Sequence, residues 1–193
     1  IYRQTLPRFL ISPDNAIVLS PMNRGAAGAH KLNGDLQTLL NPDENGDTVQ
    51  RLGTTFKEGD KVMHIRNNYD KKVFNGDIGI IESIDKQDKK LLVHYGNRMV
   101  PYEFSEVDEL VLAYAISIHK SQGSEYDAVI IPMFSQHFTL LQRNLLYTAL
   151  TRAKKLCVLI GQTKAIAMAI KNTKGSTRTT FLSQFLTTDL VCR

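Results

Sequence analysis

The sequence has little cysteine: two residues in 193, Cys157 and Cys192. They stand far apart and lack metal-site spacing, so reduced thiols are expected and a zinc site is not. Cys157 lies inside an apolar run and reads as a buried, inert thiol. No stretch reaches the ~18 apolar residues that a membrane helix needs. Residues 1–10 carry no basic-then-apolar leader pattern. These absences point to a cytoplasmic protein with no membrane partner. The pattern G-x-x-x-x-G-K-[ST] occurs nowhere, so the chain lacks a phosphate-cradling P-loop. No internal repeat or low-complexity tract is present.

What is present is ordinary for a soluble globular chain, with 42% hydrophobic and 22% charged residues. The length suits one large domain, or one domain carrying an insert. A chain of this size buries about 70% of its unfolded surface. The net charge of +5 favours polyanionic partners through counterion release, and equally fits a general solubility charge.

Hydrophobic patterning divides the chain. AIVLS at 16–20 reads as a buried strand ending at Pro21. Ala29, Leu32, Leu36, Leu39 and Leu40 recur at helical spacing, and Asn41-Pro42 ends that helix. Residues 43–57 are polar and turn-rich and read as a loop. From 58 to 107 the texture changes to short strand-like runs (KVMHIRN, IGIIESI, KLLVHYG and RMVPYEF) separated by turn signals. In one of them Leu91, Val93 and Tyr95 alternate onto one face. Beyond 107 the pattern reverts. Strands are expected at 109–117, 128–133 and 156–161, with helices at 141–154 and 163–171. Strands without alternation, interleaved with helices, indicate a parallel sheet covered on both faces. The expected fold class is therefore α/β, with residues 1–57 and 108–193 forming a parallel-sheet domain and 58–107 a small inserted β-barrel.

Three segments carry candidate chemistry. SIHKSQGSEYD, residues 117–127, is a polar run at the end of an expected buried strand, where open α/β sheets bind ligands. Gly123 permits close backbone approach there, and the hydroxyls and amide nitrogens suit phosphates; the same residues also fit a solvated loop. In NLLYTALTRAKK, residues 144–155, Asn144, Thr148, Arg152 and Lys155 share one face of the expected helix. Arg152 there can meet a phosphate bidentately, or can be a solvated cation at a helix end. In SPMNRGAAG, residues 20–28, Arg24 and the glycines can approach an anion at a helix start, or can simply form a helix-initiating turn.

These segments together resemble the superfamily 1 helicases of the RecD-like type, the family of the exodeoxyribonuclease V alpha subunit. HKSQGSEYD is similar to their motif V and LLYTALTRAKK to their motif VI. VLSPMNRGAAGAHKLNGDLQTLLNP resembles the segment around motif IV. FKEGDKVMHIRNNYDKKVFNGDIGII resembles the SH3-like barrel inserted in their second RecA-like domain, and the tail RTTFLSQFL also fits. The glutamine in HKSQGSE is similar to the RecD-like and related branches, whereas the UvrD-like branch usually has lysine there.

The resemblance implies a RecA-like parallel-sheet domain interrupted by an SH3-like barrel. It implies catalytic roles for Arg152, matching the motif VI arginine that meets the γ-phosphate, and for Arg24 near motif IV. It implies nucleotide contacts for Gln122, Gly123 and Glu125. Single-stranded DNA contacts are implied for Ser117, His119, Lys120 and Ser121. On the barrel, the basic run containing Lys61, Arg66, Lys71 and Lys72, with Tyr69 as a stacking face, is a further candidate contact, and equally reads as a solvated hairpin tip. ATP and Mg2+ are implied cofactors, bound only together with an amino-terminal Walker A domain that this chain lacks. The expected protein is thus the carboxy-terminal half of a 5′ to 3′ DNA helicase of repair and recombination, inactive alone. The sequence also leaves open a non-enzymatic nucleic-acid-binding module, a related RNA helicase or a relaxase-helicase.

Overall fold

A computed structural model describes residues 1–42 and 46–173. In chain order it forms α1 (Thr5–Arg8), β1 (Ala16–Ser20), α2 (Ala29–Leu40), β2 (Thr48–Arg51), β3 (Thr54–Lys57), β4 (Lys61–His64), β5 (Ile78–Asp85), β6 (Lys90–Tyr95), β7 (Arg98–Glu103), β8 (Leu110–Leu112), β9 (Ala115–Ser117), β10 (Tyr126–Met133), α3 (Arg143–Leu150), β11 (Ala153–Gly161) and α4 (Thr163–Lys171). The tail segment RTTFLSQFL and Cys192 lie outside the described residues.

Four strands make a parallel sheet in the order β11-β10-β1-β9. Alternate residues of each strand point to opposite faces, and both faces are covered. Ile17, Leu19, Val129 and Ile131 pack beneath α3 and α4 with Leu146, Ala149, Ala165 and Ala169. Ala16, Val18, Ala128 and Ile130 pack on the other side with Leu6 of α1 and Ala29 of α2. Burial on both sides explains why these strands read as continuous apolar runs. β11 is the exception. It is one of the two edge strands and is only partly covered, with Leu159 and Ile160 about 40% exposed, so the fully buried strand expected there is not what forms. Its Cys157 is half-buried, and burial pushes the thiol pKa up.

The remaining strands are antiparallel. β7-β6-β5-β4-β8 form one sheet and β2-β3 a hairpin. Val49 and Phe56 of the hairpin share a core with Val62, Ile81, Val93 and Tyr102 of the sheet. Antiparallel pairing therefore extends from Thr48 to Leu112, wider than the 58–107 that the turn spacing marks. Two expectations change. Residues 43–57 are not one loop, because Leu52 and Gly53, at φ 49 and 77, make the two-residue turn of the β2–β3 hairpin. Residues 109–117 are not one strand: β8 pairs with β4, while β9 pairs with β1.

Two buried polar groups join the layers. Lys61 Nζ donates to the Ala16 carbonyl at 2.9 Å, and burial holds its pKa down at about 8. Asp60, fully buried, accepts hydrogen bonds from Gln37 of α2 and from Asn41, which caps its end.

Inside the antiparallel unit His64 is fully buried, its Nε2 without a hydrogen-bond partner and 3.6 Å from Glu109. Burial, the dominant cause, pushes its pKa below the ordinary value of 6.5, against the opposing pull of Glu109. His137 is lowered for the same reason. A histidine whose folded pKa is depressed contributes stability above its unfolded pKa and loses it as pH falls toward the folded one. The unfolding free energy from urea titrations, and with it the urea midpoint, is therefore expected to fall between about pH 7.5 and pH 5.5, the free energy by up to roughly 1 kcal/mol per pH unit for each histidine. His64→Asn should flatten that slope; a midpoint constant over this window would contradict a neutral buried imidazole.

Candidate functional site

Three candidate segments are positioned by the ends of the parallel sheet. At the carboxyl ends, Ser20 of β1 pairs in register with Ser117 of β9, so the loops after them emerge side by side. The β1–α2 turn is tight. Ser20 Oγ donates to the carbonyls of Met22 and Ala27 at 2.9 and 2.7 Å. A Cβ on Gly28 would lie 2.4 Å from the Arg24 carbonyl oxygen, so only glycine fits without the turn shifting. Arg24 is exposed on this turn.

After β9 the chain makes a 3-10 turn over Ile118–Ser121. His119 and Lys120 are exposed, whereas Ser117 and Ser121 are buried. The Ser121 hydroxyl donates to the Ile118 carbonyl at 2.7 Å. Ser121 thus shapes the turn and is not presented as a strand contact. Lys120 and Ser117 line a cleft of about 370 Å3 between the parallel sheet and the antiparallel unit, together with Asn23, His30, Arg51 and Leu52. Arg51 and Leu52, both exposed at the β2–β3 hairpin, were not singled out by sequence. The available signal was a Leu-Gly pair between two β-branched runs.

Gln122 to Glu125 then run back along the sheet, because β10 starts at its amino end. Only the first half of the polar run therefore lies at the carboxyl ends, where the whole of it was expected. Gly123 has φ +86 with open space around its α-carbon, so the left-handed backbone is what requires glycine. Gln122 and Glu125 are exposed, and Glu125 lies 3.7 Å from Lys154.

Here the run meets the third segment. α3 ends at Leu150, and Arg152 sits in the turn before β11 rather than on a helix. Its half-buried guanidinium donates to the carbonyls of Thr148 at 3.3 Å and Ser124 at 3.2 Å, and to Thr151 Oγ1 at 3.2 Å. Its carbonyl accepts from the Tyr126 amide at 2.9 Å. Lys155, expected on the same helix face, is on β11 and pairs with Asp127 at 3.0 Å. A second cleft, of about 320 Å3, lies between the turn and α3, lined by His119, Gln122, Asn144 and Thr148.

The two arginines are not brought together. Arg24 follows the carboxyl end of β1 and Arg152 precedes the amino end of β11, with the length of the sheet between them. A five-residue strand such as β1 alone spans about 15 Å. Arg24 thus lies on the side of the sheet from which the Ser117 turn emerges.

On the antiparallel unit, Lys71 turns inward. It pairs with Glu106 at 2.5 Å and lies 4.4 Å from the centre of the Tyr102 ring. Lys61 is buried against β1. Neither is a free surface cation. Lys72 and Tyr69 are exposed.

A doubly covered parallel sheet interrupted by antiparallel strands has the architecture of a RecA-like domain carrying an inserted barrel. The ATP-dependent RecD-like DNA helicase SH3 domain family matches residues 32–95, and the UvrD-like helicase C-terminal domain family matches residues 112–160. The chain belongs to the RecD-like helicases of superfamily 1, in their carboxy-terminal region. It is 33% identical over 177 residues to the ATP-dependent RecD2 DNA helicase of Deinococcus radiodurans, covering 92% of this chain and 24% of that protein. It is 29% identical over 162 residues to the RecBCD enzyme subunit RecD of Mycolicibacterium smegmatis, covering 84% of this chain and 28% of that one. The chain thus spans about a quarter of the length of these curated relatives. Its fold is shared with a Bacteroides Pif1 helicase solved in complex with ADP-AlF3 and single-stranded DNA. The TM-score is 0.55 at 21% identity, over 90% of this chain and 44% of that one.

Proposed function

We propose that this chain is the nucleotide-closing half of an ATP-driven 5′ to 3′ DNA helicase, working against a Walker A domain that it does not contain. The observation that carries this reading is the contact between Arg152 and the Ser124 carbonyl, which docks the arginine turn on the Gln122–Glu125 crossover. Gln122, Gly123 and Glu125 form the nucleotide-facing edge, with Arg152 as the group that meets charge on the γ-phosphate. Lys120, in the cleft at the other end of the same segment, contacts the single strand, and the exposed His119 beside it is a further strand contact. Ser121 holds that turn in shape, and Ser117 lines the cleft beside Lys120. One segment thus reports at both a nucleotide and a strand, which a motor needs in order to couple hydrolysis to movement. The Bacteroides neighbour, solved with both ADP-AlF3 and single-stranded DNA, supports the pairing. The 5′ to 3′ direction rests on the family resemblance.

ATP and Mg2+ are the expected cofactors. Among the described residues no group of three or more His, Cys, Asp or Glu side chains stands ready to hold a metal ion. Glu125 faces Lys154. On this reading the magnesium ligands and the phosphate cradle are expected from a Walker A domain. The test is ATP turnover on saturating single strand. The 193-residue chain alone should show none, and the chain joined to a RecA-like domain bearing Walker A should turn over. DNA-stimulated hydrolysis by the chain alone would end the half-motor reading.

The strand-binding end makes its own prediction. Among the described residues Lys120 has no acceptor. Lys120→Ala should weaken binding of a labelled oligothymidylate and lower the magnitude of the salt slope by about 0.7, the share of one phosphate on a single strand. An unchanged slope would remove Lys120 from the strand contact.

A further inference from the structure

The hairpin following β4 carries two large aromatic rings that the core does not use. Tyr69 is 74% exposed and Phe74 46% exposed. Their ring centroids are 5.9 Å apart at an interplanar angle of 78°. Apolar rings left in water at a loop tip cost free energy unless something covers them, yet this tip is firmly built. Asn68 and Val73 exchange backbone hydrogen bonds at 2.8 and 3.0 Å, and Val73 is fully buried beneath them. Asn68 Oδ1 accepts from the Lys71 amide, Asn67 Oδ1 from the Asn75 amide, and Asp77 from the Phe74 amide. Arg98 reaches across from β7 to donate to the Lys72 carbonyl at 2.9 Å. The rings are therefore presented on a fixed support.

Their surroundings are cationic. Arg66, Lys72 and Arg98 are all exposed around the tip, and Arg66 makes only a 3.9 Å contact with Asp108. The one exposed carboxylate in the loop without a hydrogen bond or ion pair is that of Asp70. The location matters too. Ile65 and Asp108 line the same cleft as Ser117 and Lys120, so a strand leaving that cleft passes Arg66 before it reaches the rings.

We propose that Tyr69 and Phe74 form a stacking platform for unpaired bases of single-stranded DNA, with Arg66, Lys72 and Arg98 holding the flanking phosphates. This rests on reading the cleft as the strand site. Every base offers a π-face, so such a platform holds a strand without reading its sequence. Lys71, turned inward to Glu106, belongs to the support rather than to the contact.

The test uses the 193-residue chain at low salt with two labelled probes of equal length, an oligothymidylate and an abasic strand with the same phosphates. Tyr69→Ala and Phe74→Ala should each weaken oligothymidylate binding about tenfold, while leaving abasic binding unchanged. Tyr69→Phe should restore wild-type affinity. Unchanged oligothymidylate affinity in the double alanine variant overturns the platform, and so does an equal loss on both probes, because then no base is stacked. Lys120→Ala separates this from the cleft reading. A loss there with no effect of the rings overturns the platform and leaves the cleft; a loss at the rings with no effect of Lys120 leaves the platform and overturns the cleft.

Discussion

Arg152→Lys, in an enzyme that joins this chain to a Walker A domain, is expected to keep ATP binding within a few-fold and to lower turnover at least about a hundredfold. Ground-state binding depends mainly on the phosphate cradle and the metal, which the other domain supplies. The arginine acts later, on charge that develops as the γ-phosphoryl group leaves. Its planar fork presents two donors to phosphate oxygens at once, whereas a lysine presents a point charge on a flexible stem. The position of Arg152 is set by hydrogen bonds rather than by a helix face: Nε and Nη1 are tied to the Thr148 and Ser124 carbonyls. A lysine ammonium cannot make both contacts in that geometry, so it loses both the fork and the anchoring. If Arg152 were only a cation near a helix end, the same change would alter stability by a few tenths of a kcal/mol and leave turnover intact. Steady-state ATPase rates on saturating single strand, measured beside nucleotide affinity, separate the two. Near-wild-type turnover in the lysine variant would rule out the finger role.

The displacement of Arg152 from helix to turn shows where the sequence stops being legible. Leu145, Leu146, Ala149 and Ala153 keep helical spacing, so periodicity carries the helix through Ala153. In the structure Ala153 pairs with Tyr126 on β10, and this tertiary pairing overrides local propensity. The same limit governs residues 109–117. No turn signal divides that apolar run, and only its partners, β4 on one side and β1 on the other, split it between two sheets. By contrast α2 was readable to its last turn, because Asn41-Pro42 is a local stop. The antiparallel runs from Lys61 to Glu103 were readable from turn residues alone. At the site, residue types and spacing picked out the polar crossover and the arginine. They did not show that Ser121 spends its hydroxyl on Ile118, or that Lys71 faces Glu106. Serine and lysine are surface residues by default, and only a folded neighbourhood says otherwise. The opposed placement of Arg24 and Arg152 was likewise invisible, since it depends on which end of which strand each one adjoins.

The two layers must also hold a fixed relation if a cleft between them is to grip a strand, and Asp60 is where that relation is set. Its carboxylate is fully buried and takes four donors. Oδ1 accepts from Asn41 Nδ2 at 2.8 Å and from the Tyr114 hydroxyl at 2.9 Å. Oδ2 accepts from Gln37 Nε2 at 2.5 Å and from the Lys57 amide at 2.8 Å. One of these donors lies on α2, one on the residue that caps its end, one at the end of β3, and one on the residue just before β9. Asp60→Ala leaves all four without their acceptor in a dry site, and each orphaned donor costs about 1–3 kcal/mol before relaxation. The expected loss is about 3–5 kcal/mol of unfolding free energy, the range for breaking a buried charged network. Asp60→Asn keeps the shape and one acceptor oxygen, but sets an amide NH2 against two donors, so it should fall between alanine and wild type. A surface pair gives the scale for comparison. Lys86 lies 3.0 Å from Asp47 with both side chains about half exposed, and Lys86→Ala should cost under about 1 kcal/mol. Urea unfolding followed by far-ultraviolet circular dichroism measures all three. An Asp60→Ala loss no larger than that of Lys86→Ala would mean that α2 and the antiparallel unit are held together by apolar packing alone, at Leu36, Leu40 and their neighbours.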